Sequence, residues 1–214
     1  MPMFGRTRNT RPEGAPLRLH LGSGQAPIPG WLNIDVQALP GVDRVLDVRE
    51  GLPFENVSSI FGEHFLEHLE LEEGLACLAE CRRVLSDEGV LRLSTPNLDW
   101  VYATHYRLGQ WTAEEDAISD CFGLNRAFHG WGHRFLYNRP VLFAALRTAG
   151  FSEMTLHGYG ESDRPELTGL ERHERSGDAP DLPHVLIVQA SGRADGVGLP
   201  KDLLEGYRQA IEAK

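Results

Sequence analysis

The sequence predicts a single α/β domain, with helices packed on a mostly parallel β-sheet. From residue 17 onward, short apolar runs typical of strands alternate with helical patterns, and this alternation indicates a parallel sheet. A chain of 214 residues is long enough to bury one large core and short for two. We divide it into a flexible arm (1–16), a folded domain (17–191), and a linker with a terminal helix (192–214).

Seven strands are predicted, each an apolar run that Gly, Pro, Asp or Asn residues bound. In chain order they cover residues 17–21, 31–36, 42–48, 58–62, 90–95, 154–160 and 184–190. The turn-forming residues between these runs indicate where each strand ends.

Three helices are predicted from the spacing of their apolar residues. Between the fourth and fifth strands, one helix face is lined by Leu71, Leu75, Leu78 and Leu85. The Asp-Glu-Gly run at 87–89 is expected to end this helix. A second core-packing helix covers 139–149 and stops at Gly150. The third is an amphipathic helix over 200–214.

Two long segments lack a regular pattern. Residues 98–138 form an insertion rich in Trp, Tyr, Phe and His, and residues 161–183 form a polar loop with an excess of acidic residues. Long irregular segments of compact domains usually carry specificity or cover a site. We therefore expect 98–138 to form a lid.

The composition excludes several classes of partner. A formal net charge of −10 opposes binding to nucleic acid, because that affinity rests on Lys and Arg side chains that neutralise phosphates. No apolar run approaches the roughly 20 residues of a membrane-spanning helix, and no apolar signal segment follows the N-terminal arginines. We therefore expect a cytoplasmic protein that acts on a small or neutral molecule.

A glycine-rich turn after the first strand is the first candidate site. Glycine has no Cβ and tolerates positive φ, so Gly22 and Gly24 would let a nucleotide approach the backbone around Ser23 closely. A dinucleotide-binding turn needs a third glycine where this chain has Pro27, which disfavours NAD. Glycines that merely form a turn are an alternative explanation.

Two further predicted strands end in an aspartate, namely Asp35 in WLNIDV and Asp47 in RVLDV. The carboxyl ends of parallel strands meet at one edge of a sheet, where open α/β sheets bind their ligands. A carboxylate after the second strand can accept hydrogen bonds from both ribose hydroxyls of an adenosine. Either aspartate alone could simply cap a loop or a helix, but the three strand ends together favour a nucleotide site.

Together these motifs resemble the class I S-adenosylmethionine-dependent methyltransferases over about residues 17–190. The segments that carry the resemblance are LHLGSG at 19–24, NID at 33–35, LD at 46–47, SIFGEHFLEHL at 59–69, RRVLSDEGVLRLSTPN at 82–97 and AGF at 149–151. The resemblance implies a Rossmann-like, three-layer αβα fold whose seven-stranded sheet has one antiparallel strand. It also implies S-adenosylmethionine as the cofactor.

The resemblance implies a role for each residue of the cofactor site. These residues are Gly22, Ser23 and Gly24 for the methionine part, Asp35 for the ribose, Asp47 and Val48 for the adenine, and Glu63 and His64 for the rim near the sulfonium. The chain departs from the family where His20 replaces the usual acid, and where only ten residues separate Gly24 from Asp35. We therefore expect the adenosine to be held more firmly than the methionine tail.

Histidines provide the candidates for a catalytic base. Methyl transfer to a hydroxyl requires alignment, exclusion of water and removal of a proton, and imidazole titrates close to neutral pH. His64 follows the fourth strand and should lie nearest to the cofactor, so it is our candidate base. The other candidates are His68, His105, His129 and His133.

His129 and His133 bracket a Gly-Trp-Gly run, and such spacing can indicate a metal site when both histidines share a helix face. The glycines argue against a helix and no third ligand is evident, so we assign no metal site. A histidine-lined pocket and plain packing are the alternatives. The aromatic side chains of the insertion could likewise wall a pocket or form the lid's own core.

The sequence thus predicts transfer of a methyl group from S-adenosylmethionine to a small-molecule, sugar or lipid-linked acceptor enclosed by residues 98–138. One alternative is an inactive module of the same fold that binds S-adenosylmethionine or a nucleotide, which His20 and the short connection favour. Another is a nucleotide-sugar enzyme on a similar sheet.

Overall fold

The computed structural model describes residues 14–107, 110–173, 182–195 and 198–213. Nearly all of the arm predicted for 1–16 lies outside the described residues. Within the described ranges, no helix combines the length and the apolar character needed to cross a bilayer.

Seven strands of the described chain form one sheet in the order β3-β2-β1-β4-β5-β7-β6. They are β1 (Leu17–Leu21), β2 (Leu32–Asp35), β3 (Arg44–Val45), β4 (Val57–Glu63), β5 (Leu85–Pro96), β6 (Glu153–Leu156) and β7 (Val185–Ser191). Strands β1 to β5 run parallel, and β7 is antiparallel to both of its neighbours. This confirms the predicted sheet. The carboxyl ends of β1 to β5 lie on one side, which we call the carboxyl edge.

Five α-helices accompany this sheet in the described ranges. They are α1 (Leu71–Val84), α2 (Leu98–His105), α3 (Glu114–His129), α4 (Arg139–Thr148) and α5 (Lys201–Glu212). α1 and α4 bury their apolar faces in the main core, where Leu78 and Leu142 are almost wholly inaccessible to solvent. α5 reaches the same core through Leu204 and Tyr207.

The two faces of the sheet are covered by different parts of the chain. Successive strand residues point to opposite faces, so Ile60 packs in the main core and Phe61 in a smaller second core. Trp31, from the connection between β1 and β2, and Leu167, from the loop after β6, belong to the second core. Connecting segments therefore cover this part of the second face.

The insertion at 98–138 contains two helices, α2 and α3, that the sequence pattern does not predict. α3 buries only Asp120 and Ala127, so it has no apolar stripe that periodicity could reveal. The two helices pack against each other. Because α2 begins directly after β5, the pair lies beside the carboxyl edge.

Several predicted bounds are wrong for local reasons. α1 ends at Val84 rather than at 87–89, and β5 begins at once. Val57 pairs with Leu85 but Ser59 pairs with Val90, so residues 86–89 bulge out of the ladder. β3 and β6 are also shorter than predicted, at two and four residues.

Residues 22–31 join β1 to β2 through turns that the side chain of Asn33 holds in place. Its Oδ1 accepts a hydrogen bond from the Ile28 N–H at 2.7 Å, and its Nδ2 donates to the Ile28 carbonyl at 3.2 Å. The same Oδ1 lies 3.1 Å from Nδ1 of His20, and both side chains are buried. This network fixes the connection, and with it the glycine turn at its start.

Candidate functional site

The glycine turn after β1 has one open and one covered position. Gly22 and Gly24 adopt φ values of +62° and +52°, which favour glycine. A Cβ at Gly24 would meet no atom within 4 Å, whereas a Cβ at Gly22 would lie 2.8 Å from Cδ2 of Phe65. A ligand can therefore approach the backbone closely at Gly24, while the Phe65 ring covers Gly22.

Asp35, at the end of β2, holds the glycine turn against the sheet. Its Oδ2 accepts a hydrogen bond from the Gly24 N–H at 2.9 Å, and its Oδ1 accepts one from the Gln37 N–H at 2.9 Å. A carboxylate offers about four lone-pair positions, so roughly half of its accepting capacity is still available. Asp35 is thus a fixed, half-buried acceptor at the carboxyl edge.

Asp47 and Val48 lie at the same edge, beyond β3. The Asp47 carboxylate caps the 3-10 turn Val48–Glu50 and pairs with the Arg49 guanidinium at 2.6 Å. Hydrogen bonds from the side chain and backbone of Arg49 lower the pKa of Asp47. Val48 is buried in the main core. Asp47 is therefore committed to a local ion pair, and the side chain of Val48 to packing.

Glu63, the last residue of β4, is held by the segment that returns from β6. Its Oε1 accepts hydrogen bonds from the backbone N–H groups of Arg172 and His173, at 2.8 and 3.2 Å. Arg172 also donates to the carbonyl of Ala26 at 3.0 Å. Burial alone would raise the pKa of Glu63, but the hydrogen bonds from Arg172 and His173 outweigh burial and lower it. Residues 172–173 thus form a strap across the carboxyl edge.

His64 forms a dyad with a carboxylate that the sequence analysis did not single out. Its backbone has a φ of +45°, and its Nδ1 lies 3.0 Å from Oε1 of Glu67. Glu67 is wholly buried, and its Oε2 accepts a hydrogen bond from the Thr95 hydroxyl at 3.1 Å. The carboxylate therefore favours a proton on Nδ1 of His64, which leaves Nε2 as the accepting nitrogen. That Nε2 is buried, and no group of the described residues bonds to it.

A cavity of about 660 Å³ opens beside this dyad, under α2 and α3. Six of the nine histidines of the chain line it, and no Asp or Glu of the described residues does so. The lining consists of His64, His68, Pro96, Trp100, Val101, His105, Arg126, Ala127, Trp131, His133, Leu136, His173 and His184. The volume falls in the range of small-molecule pockets.

The structure separates the predicted histidine and aromatic candidates. Four of the five histidines line the cavity, whereas His129, the last residue of α3, is exposed and does not. Among the aromatic side chains of 98–138, Trp100 and Trp131 line the cavity, but Phe128 packs in a small core of the lid. Tyr137 is buried in the main core. Some aromatic side chains of residues 98–138 therefore line the cavity, and others pack in a core.

Sequence analysis missed Glu67, His173 and His184. Glu67 stands three residues after His64 in EHFLEH, and this spacing in a 3-10 turn was the available signal. His173 and His184 belong to the polar segment after β6, and no local pattern marks them. His173 reaches the cavity from the strap, and His184 reaches it as the residue directly before β7.

Comparison with solved structures identifies the fold. A Thermotoga maritima protein, described as an S-adenosylmethionine-dependent methyltransferase and possible histamine N-methyltransferase, is 12% identical at a TM-score of 0.53, over 83% of this chain and 82% of that chain. An S-adenosylmethionine-dependent methyltransferase from Archaeoglobus fulgidus is 13% identical at a TM-score of 0.52, over 83% and 86%. The chain has the class I S-adenosylmethionine-dependent methyltransferase fold.

At such low identity the likeness is one of fold. The methyltransferase domain named CMeT of the citrinin polyketide synthase is 15% identical at a TM-score of 0.49, over 85% of this chain and 48% of that chain. This chain thus spans about half of the length of that structure. No protein-family profile and no curated protein sequence matches the chain.

The adenosine half of the cofactor used by this methyltransferase fold suits the residues at the carboxyl edge. Ser23, in the glycine turn, has a buried hydroxyl that finds no partner in the described part of the chain and can bond to a ligand. Gly24 leaves open space above its Cα. Beside Ser23 and Gly24, the carboxylate of Asp35 can accept further hydrogen bonds. The donors, acceptors and open space needed by a ribose are therefore present.

The methionine half has a different environment from the one that the methyltransferase resemblance implies. His20 takes the place of the usual acid, and burial lowers its pKa to about 4, so the ring is neutral at physiological pH. The Phe65 ring covers Gly22, and the Glu63 carboxylate is occupied by the strap. A cofactor would therefore meet a neutral imidazole, an aromatic ring and a carboxylate that is already paired at this end.

Proposed function

We propose that this chain binds S-adenosylmethionine at the carboxyl edge and methylates a small acceptor held in the histidine-lined cavity. One observation carries the proposal: His64 directly follows β4 at the carboxyl edge, and it also lines the cavity. The two binding regions therefore meet at a single residue. S-adenosylmethionine supplies, when bound, a methyl group activated on a positively charged sulfur.

On this proposal, Asp35 accepts hydrogen bonds from the ribose hydroxyls, and the turn at Gly22, Ser23 and Gly24 lies against the cofactor. The support is the open backbone at Gly24 and the unpartnered hydroxyl of Ser23. Asp47 lies near the adenine, with Val48 behind it. Asp47 keeps its ion pair with Arg49, so it would face the adenine as part of a neutral pair rather than as a free charge.

His64 is the proposed base for an acceptor hydroxyl. Glu67 and Thr95 orient its ring, and the accepting Nε2 has no other partner. A nucleophile's proton is best removed by a base that a third group holds in one tautomer. The hydroxyl proton would pass to Nε2 as the acceptor oxygen attacks the methyl group.

The cavity indicates the kind of acceptor. Trp100, Val101 and Leu136 provide an apolar wall, while the histidines and Arg126 provide polar contacts without any acid. A small molecule, a sugar or the head of a lipid-linked sugar that carries hydroxyls fits this lining. An aromatic wall such as Trp100 suits the apolar face of a sugar ring.

Two measurements test the proposed function. Calorimetry with S-adenosylmethionine and S-adenosylhomocysteine should give a single site for each, and absence of binding would favour a nucleotide-sugar enzyme. Product formation is then followed by mass spectrometry with a panel of hydroxylated acceptors. Binding of the cofactor without turnover of any acceptor would instead favour a module of the same fold that binds but does not catalyse. The neutral His20 and the covered Gly22 are the observations in favour of that alternative.

A further inference from the structure

Beside the His64 dyad, three potential metal ligands converge. The carboxylate of Glu67 and one ring nitrogen each of His68 and His133 lie within 4.8 Å of one another. Within the described part of the chain, this is the one group of three or more His, Cys, Asp or Glu side chains with ligand atoms so close. We propose that Glu67, His68 and His133 bind a divalent transition-metal ion, zinc by the chemistry of the donor set.

Main-chain hydrogen bonds bring the two segments of this site together. The Glu67 carbonyl accepts hydrogen bonds from the N–H groups of Arg134 and Phe135, at 2.7 and 3.3 Å. The turn that precedes His133 contains Trp131 with a φ of +55° and Gly132 with a φ of +82°. Such a conformation is costly for a tryptophan and persists only where the surroundings enforce it. The backbone is thus held in the shape that places His133 beside His68.

Two of the three ligand side chains, those of His133 and Glu67, are already oriented by outer partners, as in known metal sites. Nδ1 of His133 donates to the carbonyl of Ala127 at 2.8 Å, so the lone pair of this ring is on Nε2. The Glu67 carboxylate is held by His64 and Thr95. Metal-binding histidines almost always donate their other ring N–H to a carbonyl or a carboxylate.

The charge of Glu67 also favours a cation here. Its carboxylate is wholly buried, and no Arg or Lys of the described residues pairs with it. Buried carboxylates are stable only when paired, well hydrogen-bonded or bound to a metal. A metal ion at this position would place a fixed positive charge beside this carboxylate.

The donor set indicates the metal and its coordination. Two imidazoles and one carboxylate are the ligands of catalytic zinc sites, which keep a fourth position for water or substrate. Because His68 and His133 line the cavity, that position would face it. An oxygen of a molecule in the cavity would then be the fourth ligand. The site therefore adds an oxygen-binding point to the cavity, next to the His64 dyad with which it shares Glu67.

The test uses untagged, full-length protein and zinc sulfate alone, without cofactor or acceptor. Dialysis followed by elemental analysis should give one zinc per chain, and cobalt(II) should give visible ligand-field absorption. His68→Ala and His133→Ala should each weaken zinc binding by more than about tenfold, the lower bound for loss of an outer-shell partner. His129→Ala is the matched control, because His129 is exposed and lies outside the group.

Two results would overturn the proposal: no stoichiometric zinc in the wild type, or equal zinc binding by wild type and His68→Ala. His68 is exposed, so its variant should fold even if His133→Ala does not. Circular dichroism checks this. A loss in His129→Ala as large as in His68→Ala would also contradict the site, because it would indicate unspecific surface binding. None of these outcomes depends on binding of S-adenosylmethionine.

Discussion

At the scale of single residues, the carboxyl edge depends on side chains that neighbouring groups hold fixed. Asp35 is tied to Gly24 and Gln37, and Glu67 to His64 and Thr95. Each carboxylate can still accept further interactions. Rigid groups of this kind bind or react without first being ordered, which is why their removal should have measurable effects.

Asp35→Ala should weaken binding of S-adenosylmethionine by about 1.5 to 3 kcal/mol, the value of hydrogen bonds to a charged group. The variant also releases the Gly24 N–H that positions the turn. Calorimetry measures the change, and Asp195→Ala, an exposed aspartate, is the control. If Asp35→Ala bound S-adenosylmethionine with unchanged affinity, Asp35 would not be a cofactor-binding residue.

His64→Gln should lower kcat by roughly 10²- to 10⁴-fold with a hydroxyl acceptor, the usual contribution of a general base. Binding of S-adenosylmethionine should change little, because the accepting Nε2 serves the acceptor. Steady-state kinetics and calorimetry on the same variant separate the two effects. His129→Gln should match the wild type. If His64→Gln kept the wild-type kcat, His64 would not be the base.

His20 should make the folded state less stable as the pH falls from about 6.5 to 4. The folded-state pKa is about 4 because the ring is buried, whereas a free histidine has a pKa of about 6.5. Over this interval the unfolded chain binds a proton at His20 that the folded chain does not bind. The free energy of unfolding therefore falls with the pH. The loss should reach about 1 to 3 kcal/mol between pH 7 and 4.5 relative to His20→Gln, by urea unfolding. If the free energy of unfolding depended on pH in the same way in the wild type and in His20→Gln, the prediction would be wrong.

At the scale of elements, a buried ion pair fastens the strap to the sheet. Arg92 of β5 lies 2.6 Å from Glu171, and both side chains are almost wholly buried. Arg92 also donates to the side chain of Gln189 on β7 at 2.8 Å. The adjoining residues Arg172 and His173 thereby come to lie on Glu63. A contact inside the sheet thus positions the strap over the carboxyl edge.

Glu171→Ala should lower the free energy of unfolding by about 3 to 5 kcal/mol, because it leaves a buried guanidinium unpaired. Asp87→Ala, which breaks the exposed pair with Arg193, should cost no more than about 1 kcal/mol. Urea denaturation of both variants measures the difference. Similar small losses in the two variants would show that the buried pair contributes little.

The elements differ in how far sequence could predict them. β1 is found at its predicted bounds because a buried strand between turn residues has a distinct apolar pattern. The turn at Gly22 and the acid at Asp35 could be placed together because parallel strands end at one edge. α3 could not be predicted, because a helix that buries two residues carries no apolar period. The strap and its His173 depend on the long-range pair of Arg92 with Glu171, which no local pattern contains.

At the scale of the whole molecule, the parallel order of β1 to β5 collects the candidate site on one side. The glycine turn, Asp35, Glu63 and His64 follow three neighbouring strands, β1, β2 and β4. The pair α2 and α3 follows β5, so the cavity lies next to this edge. Topology thus brings the proposed cofactor region and the proposed acceptor region together, which is the arrangement that transfer between two bound molecules requires.

The most direct test of this account is a crystal structure of the chain with S-adenosylhomocysteine. We predict that the ribose hydroxyls bond to Asp35, that the turn at Gly22 to Gly24 lies against the ligand, and that its sulfur faces the cavity beside His64. A ligand bound elsewhere, or one whose sulfur points away from His64, would contradict the account.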